Sequence, residues 1–235
     1  MISVITCTNR EKSLTNILSN YDKQHYKHKE LVIIINNNSI DLNEWKSKSQ
    51  KYKNVTILRE DENQSLGKCL NKGIQHASGY FIAKFDDDDY YSSHYLSESL
   101  KALQNAKVNV VGKTSIYMFF ESEKLLTIFN PYKFAGSMSN SEEVYNNAIL
   151  MGGTLFVKKS VFHNIGFRDT SVGEDAAFCE DCKLNGIKIF SSTIKGYVYI
   201  RKEENSHSWK MKNDKLKKFC TVVEYTEDYK SKIDY

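Results

Sequence analysis

The run Leu31-Val32-Ile33-Ile34-Ile35 is apolar at every position. A strand with one wet face alternates apolar and polar residues, so an unbroken run belongs to a strand covered on both faces. That requirement admits few architectures, because such a strand is an inner element of a sheet with helices packed on either side. The neighbouring segments agree. Ile2–Thr6 is a short β-type run, Val55–Leu58 another, and Tyr80–Phe85 a fourth. Between them Leu14, Ile17, Leu18 and Tyr21 recur at helical spacing, and Asp41 to about Tyr52 reads as helix. Leu66, Leu70, Ile74 and Ala77 share one helix face, closed by Gly79. The order βαβαβαβ predicts an α/β fold with a mostly parallel central sheet flanked by helices. Ligands of such sheets bind beyond the carboxyl ends of the strands. Three polar clusters fall there: Thr8-Asn9-Arg10, Asn36-Asn37-Asn38-Ser39 and Asp86-Asp87-Asp88-Asp89.

The pattern changes after a helix over about His94–Ala106. Val108–Val111 reads as a strand, and Ser115–Phe120 with Leu125–Phe129 as a hairpin, the start of a smaller antiparallel portion. Gly152–Val157 is a further strand signal, Val161–Ile165 a short helix, and Gly173-Glu174-Asp175 opens a helix reaching Asn185. Ile187–Phe190 and Gly196–Ile200 are late strands. From Ser208 onward lysines alternate with Trp209, Met211, Leu216 and Phe219, which predicts a helical tail. Its lysine-rich face is either solvated or, at most, a peripheral contact with a membrane surface.

A single proline, Pro131, and 11 glycines leave no linker-like stretch, so one domain is expected over 1–235. Formal net charge is +4, too balanced for the domain-scale basic surface of a nucleic-acid binder. No apolar run approaches the roughly 20 residues of a membrane-spanning helix. The first residues enter a strand without a basic leader, and a cytoplasmic location is expected. Five cysteines, with Cys179 and Cys182 as the one CxxC pair, read as reduced core residues because a zinc site wants four clustered ligands.

The chemistry concentrates at Asp86–Asp89. Alternate residues of an extended chain share a face, which pairs Asp86 with Asp88 and Asp87 with Asp89. Like charges so close repel unless a cation is present. One such pair suits Mg²⁺ or Mn²⁺, hard cations that take carboxylate oxygens together with substrate phosphates. Helix capping by Asp89 or Ser92 accounts for one carboxylate and not four.

Taken in order, the motifs resemble those of the family 2 inverting glycosyltransferases of the GT-A fold. They are Ile2-Ser-Val-Ile-Thr-Cys-Thr-Asn-Arg10, Leu31-Val-Ile-Ile-Ile-Asn-Asn-Asn-Ser39, Gly67-Lys-Cys-Leu-Asn-Lys-Gly-Ile74, Ala77-Ser-Gly-Tyr-Phe-Ile-Ala-Lys-Phe-Asp-Asp-Asp-Asp89, Gly173-Glu-Asp175 and Arg201 with Ser206-His-Ser-Trp209. The resemblance implies a nucleotide-sugar-binding half over 1–111, an acceptor-side half over 112–207 and the tail over 208–235. It places Thr8, Asn9, Arg10, Asn37, Lys68, Asp86 and Asp87 on the nucleotide, and Asp88, Asp86 and His207 at the metal. Asp175 matches the catalytic base, with Glu174 beside it. Lys68 has a bland alternative as a surface lysine, and His207 as a structural histidine. The implied partners are a nucleotide-diphosphate sugar, UDP-sugar first, and a carbohydrate or other hydroxyl acceptor in polysaccharide or surface-glycan synthesis.

Two positions depart from that pattern. No aromatic residue follows Thr8, and Asn36-Asn37 replaces the usual acidic pair. An amide accepts or donates according to its flip, so uracil, thymine and cytosine all remain open. Asp175 at a helix start also sits where the dipole favours its charged form and weakens it as a base. Two rival readings stand beside the transferase. A sugar nucleotidyltransferase needs a Gly-rich loop for a triphosphate, and Thr6–Lys12 contains no glycine. A non-catalytic nucleotide- or carbohydrate-binding module is compatible with the same fold.

Overall fold

The computed structural model describes residues 1–132, 149–202 and 209–234, and the backbone of 143–145. Its first strands are β1 (Ile2–Thr8), β2 (Lys29–Ile35), β3 (Val55–Arg59) and β4 (Phe81–Lys84), linked by helices α1 (Leu14–Asp22), α2 (Leu42–Ser49) and α3 (Leu66–His76). β1 pairs in parallel with both β2 and β4, and β2 in parallel with β3. The chain continues through β5 (Tyr90–Tyr91), α4 (Tyr95–Asn105), β6 (Val110–Gly112), β7 (Ile116–Phe120), β8 (Leu125–Phe129), β9 (Glu143–Tyr145), β10 (Phe156–Lys158) and α5 (Glu174–Leu184). It closes with β11 (Ile189–Ser191), β12 (Tyr197–Arg201), α6 (Asn213–Lys218), β13 (Cys220–Tyr225) and α7 (Lys230–Ile233). The larger sheet runs β3-β2-β1-β4-β10-β6-β11-β9, and the smaller β13-β8-β7-β12-β5.

Side-chain alternation divides the core between the two faces of the larger sheet. Leu31, Ile33 and Ile35 of β2 join Ile2 and Val4 of β1 in one cluster, together with Leu14, Ile17, Leu18 and Tyr21 of α1, Trp45 of α2, and Tyr95, Leu96 and Leu103 of α4. Val32, Ile34 and Ile5 face the other cluster, which α3 fills with Cys69, Leu70 and Ile74 and α5 with Phe178, Cys179 and Cys182. The unbroken apolar run is thus a doubly covered strand, as expected, and three of the cysteines serve as core packing.

Two expectations need correction. Gly152–Val157 is not one strand: Gly152–Thr154 forms a 3₁₀ turn and only Phe156–Lys158 joins the sheet. Thr154 bonds back to the Met151 carbonyl through both its N–H and its hydroxyl, which closes a turn where a ladder was expected. The 208–235 tail is not a continuous basic helix among the described residues. Its centre is β13, paired antiparallel to β8 along the edge of the hairpin, while Leu216 and Cys220 are buried. Two of its lysines have acidic neighbours, Lys217 with Glu123 and Lys232 with Glu224. In the chain order of the sheets, β5 joins the smaller one, and β9, β10 and β11 join the larger. Among the described residues no helix is long and apolar enough to cross a membrane.

One close approach ties the start of α3 to the loop ahead of α5. A Cβ on Gly67 would lie 1.9 Å from the Arg168 carbonyl oxygen, and the Gly67 N–H donates to the Thr170 carbonyl at 3.0 Å. Helix propensity alone favours Gly67→Ala by about 1 kcal/mol. Overpacking against backbone costs about 1–3 kcal/mol or more, since no rotamer relieves it. Gly67→Ala therefore lowers the urea midpoint; an unchanged or raised midpoint would show that the loop does not hold this position.

Candidate active site

The C-terminal ends of β1, β2 and β4 open into one cleft of about 460 Å³, within the roughly 300–1,000 Å³ usual for small-molecule sites. The four aspartates beyond β4 divide as alternation requires. Asp87 and Asp89 turn inward, 5% and 1% exposed, and each finds protein partners. Asp87 accepts from the Thr8 hydroxyl at 2.5 Å and from the Arg10 guanidinium. Asp89 accepts from the Tyr197 hydroxyl at 2.5 Å and the Ile200 N–H at 2.9 Å. Asp86 and Asp88 are more open and line the cleft. Arg10 reaches Asp88 as well, at 2.9 Å. Burial, then the charge of Asp87, pushes the Asp88 carboxyl up to about 7 against the pull of Arg10. Burial likewise raises Asp87 and Asp89 above the usual carboxylate range.

The opposite wall comes from α5 and the turn before β10. Gly173 begins α5 with φ of 77°, a left-handed conformation that glycine adopts without strain. Asp175 accepts from the Gly152 N–H at 3.0 Å and the Ala176 N–H at 2.8 Å. Glycines permit this approach: a Cβ on Gly152 would meet Asp175 Oδ2 at 2.9 Å, and one on Gly153 would meet Asp86 Oδ2 and the Tyr197 hydroxyl, both at 2.7 Å. Glu174 is buried, which raises its carboxyl pKa even though Lys84 pulls it down. Lys84 itself is buried at the cleft floor, 2.5 Å from Asp86 and 3.9 Å from Glu174. It links the β4 carboxylates to α5.

Of the residues expected at the site, Thr8, Asn9, Arg10, Asp86, Asp87, Asp88, Glu174 and Asp175 all line the cleft. Two are placed elsewhere. Lys68 is half exposed and pairs with Asp169 at 3.0 Å. Asn37 spends its amide on the loop: its Nδ2 donates to the Asn9 carbonyl at 2.8 Å, and its Oδ1 accepts from Ser39 N–H and hydroxyl. Asn36, its neighbour, lines the cleft instead. His207 lies outside the described residues. Sequence reasoning missed Lys84, whose position inside an apolar strand was the available signal. It also missed the Gly152-Gly153 pair and an aromatic flank made by Phe129, Tyr199 and Trp209.

The donor set facing the cleft fits a hard divalent cation. Asp86 and Asp88 offer oxygen ligands, and Gly153 leaves room where a Cβ would press on Asp86. Two protein carboxylates suit a cation that completes its shell with phosphate and water.

A family model described as Glycosyl transferase family 2 matches residues 3–166. Among curated proteins, Glycosyltransferase GlyA of Streptococcus pneumoniae is 24% identical over 220 residues, covering 88% of this chain and 31% of that protein. Poly-beta-1,6-N-acetyl-D-glucosamine synthase of Staphylococcus aureus is 24% identical over 197 residues, covering 79% of this chain and 46% of that protein. The chain therefore spans less than half the length of either relative. Among solved structures, S. aureus TarS 1–349 in complex with UDP-GlcNAc gives a TM-score of 0.65 at 20% identity, over 86% of this chain and 59% of that one. A mannosyltransferase from Pyrobaculum calidifontis in complex with GDP-Man and Mn²⁺ gives 0.63 at 18% identity, over 84% and 56%. Both likenesses are of fold, and they make this fold GT-A-like. With the family model matched across more than half of its length, the chain belongs to glycosyl transferase family 2.

Proposed function

We propose that this chain transfers a sugar from a nucleoside-diphosphate donor to an acceptor hydroxyl, with inversion at the anomeric carbon and assistance from Mg²⁺ or Mn²⁺. One observation carries the reading: a single cleft brings the open carboxylates Asp86 and Asp88 together with Asp175, held across from them by the Gly152 N–H. Family membership and the nucleotide sugars bound by TarS and the Pyrobaculum enzyme support the donor class, UDP-sugar remaining the first candidate. The poly-N-acetylglucosamine synthase relative supports a carbohydrate acceptor and a place in polysaccharide or surface-glycan synthesis.

In this reading Asp88, with Asp86, holds the cation, which when bound offsets charge on the departing diphosphate. Thr8, Asn9 and Arg10 form the nucleotide side of the cleft. Arg10 is placed to meet a phosphate once its hold on Asp88 is shared. Asp175 takes the proton of the acceptor hydroxyl as that oxygen bonds to the anomeric carbon. The carbon–oxygen bond to the diphosphate breaks in the same displacement, and the pair of electrons leaves with the nucleotide. A sugar hydroxyl hardly ionises at neutral pH, so attack needs such a positioned base. The two N–H groups on Asp175 orient its carboxylate, and Lys84 holds Glu174 and Asp86 apart from it as an ion-paired layer.

Asp175→Asn keeps the size and one of the two N–H contacts, since the Gly152 and Ala176 N–H groups meet different oxygens, but removes the proton acceptor. Transfer falls by about 10²–10⁴-fold, the loss lying in kcat, while nucleotide binding and melting temperature stay near wild type. A folded variant with wild-type turnover would remove Asp175 as base. A wild-type protein that binds nucleotide and transfers nothing, across sugars and acceptors, would favour the binding-module alternative.

Base recognition at this cleft falls to Asn36, because the amide of Asn37 is already engaged. An amide pairs with uracil in one flip and cytosine in the other, whereas a carboxylate only accepts. Asn36→Asp therefore shifts the UDP-to-CDP affinity ratio toward UDP by about tenfold, the scale of one good base contact. Asn37→Asp leaves the ratio within twofold on this account. Titration calorimetry of both variants against UDP, dTDP, CDP and GDP checks it, and the opposite pattern would return the role to Asn37.

A further inference from the structure

Helix α1 and the turn just after it carry three amide side chains four residues apart, Asn16 and Asn20 on the helix and Gln24 beyond its end, all facing the segment after β4. None belongs to the apolar pattern that predicts the helix, and Asn20 and Gln24 are 2% and 1% exposed. Each amide is occupied by backbone. Asn16 Nδ2 donates to the carbonyls of Asp87 and Asp89, both at 3.0 Å. Asn20 Nδ2 donates to the Asp89 carbonyl at 2.8 Å while its Oδ1 accepts from the Tyr91 N–H at 3.2 Å. Gln24 Nε2 donates to the carbonyls of Ser92 and Asn20, at 2.7 and 3.1 Å, and its Oε1 accepts from the Leu96 N–H at 3.2 Å. The amides thus grip the chain from Asp87 to Leu96 as a ladder.

We propose that Asn16 is a positioning residue for the Asp86–Asp89 carboxylates, the part of the ladder that serves the site rather than the fold. The inference rests on the reading that Asp86 and Asp88 face the cation and diphosphate. One NH₂ group has two protons and here serves two carbonyls. Those carbonyls belong to the peptide planes on either side of the Asp88–Asp89 pair. Fixing both planes leaves the Asp88 side chain little freedom except toward the cleft, while Asp87 and Asp89 are drawn to their inward partners. Asn20 and Gln24 are enclosed, so their loss strips buried backbone groups of a partner, the Tyr91 N–H for Asn20 and the Ser92 carbonyl and Leu96 N–H for Gln24, and acts mainly on stability. Asn16 is only half buried. Its carbonyl partners can be met by water when it is replaced, so the fold survives and the aim of the carboxylates is what suffers.

The test compares wild type, Asn16→Leu, Asn16→Gln and Asp88→Asn. Hydrogen exchange of the 86–91 amides is followed without metal. Calorimetry then measures binding of the tightest of UDP, dTDP, CDP and GDP, with and without Mn²⁺. Asn16→Leu is expected to keep a melting temperature within a few degrees of wild type. Exchange in 86–91 speeds up about tenfold, and the Mn²⁺-dependent gain in nucleotide affinity shrinks about tenfold, with metal-free affinity unchanged. Asn16→Gln, which retains the NH₂ on a longer arm, recovers part of both effects. Unchanged exchange and an unchanged Mn²⁺ gain in Asn16→Leu would overturn the proposal, provided Asp88→Asn loses that gain. If wild type shows no Mn²⁺ gain, the metal reading fails instead, and unchanged exchange in Asn16→Leu would then overturn the positioning role by itself.

Discussion

Two carboxylates, those of Asp87 and Asp89, are taken out of water at the end of β4, and the rest of the site depends on how they are satisfied. An uncompensated buried charge costs several kcal/mol, so each must find donors. Asp87 finds Thr8, the last residue of β1, and Arg10 just beyond it. Asp89 finds Tyr197 and the Ile200 N–H in β12. The first set ties the turn to the parallel sheet and the second ties it to the smaller sheet. The two sheets therefore meet at a pair of inward aspartates, and the intervening residues, Asp86 and Asp88, are left facing the cleft between them.

The same turn sets the distance to the opposite wall. The Tyr91 hydroxyl donates to the Gly153 carbonyl at 2.7 Å and accepts from the Asp86 N–H at 2.8 Å. Gly152 in turn holds Asp175. A short path of hydrogen bonds thus runs from the first aspartate after β4, through Tyr91 and the Gly152-Gly153 turn, to the carboxylate at the start of α5. Lys84 runs beside it, between Asp86 and Glu174. A side chain on Gly152 would press on Asp175 and one on Gly153 on Asp86, the two ends of that path, and the segment between is the turn closed by Thr154 on the Met151 carbonyl. The Gly152 and Ala176 N–H groups orient the Asp175 carboxylate, and the base role proposed for it rests on position, with proton transfer accompanying bond formation to the sugar.

Much of this was legible in the residues alone. Leu31–Ile35 announced a doubly covered strand, the polar clusters fell at the strand ends where ligands bind, and period-two alternation separated Asp86 and Asp88 from Asp87 and Asp89. What escaped notice depends on three-dimensional partners. Asn16, Asn20 and Gln24 look like the wet face of an amphipathic helix until the carbonyls of the Asp87–Ser92 segment are placed against them. Lys84 in an apolar strand has no visible reason until Glu174, 90 positions away in the chain, arrives beside it. Asn36 and Asn37 are chemically identical, and only the Asn9 carbonyl and Ser39 decide which amide remains for the cleft. Lys215, Lys217 and Lys218 do lie on the short helix α6, but the edge of the β7–β8 hairpin gives the residues after it a ladder that local propensity does not register.

The central claim is that the inward pair of aspartates aims the outward pair at a cation bound with the donor diphosphate. Anomalous scattering from Mn²⁺ in a crystal grown with UDP tests it most directly. The account predicts an anomalous peak in contact with an Asp88 carboxylate oxygen and the diphosphate, in the cleft between the end of β4 and Asp175. A diphosphate bound in this cleft with no anomalous peak beside Asp88, or Mn²⁺ and nucleotide bound elsewhere on the protein, would contradict it.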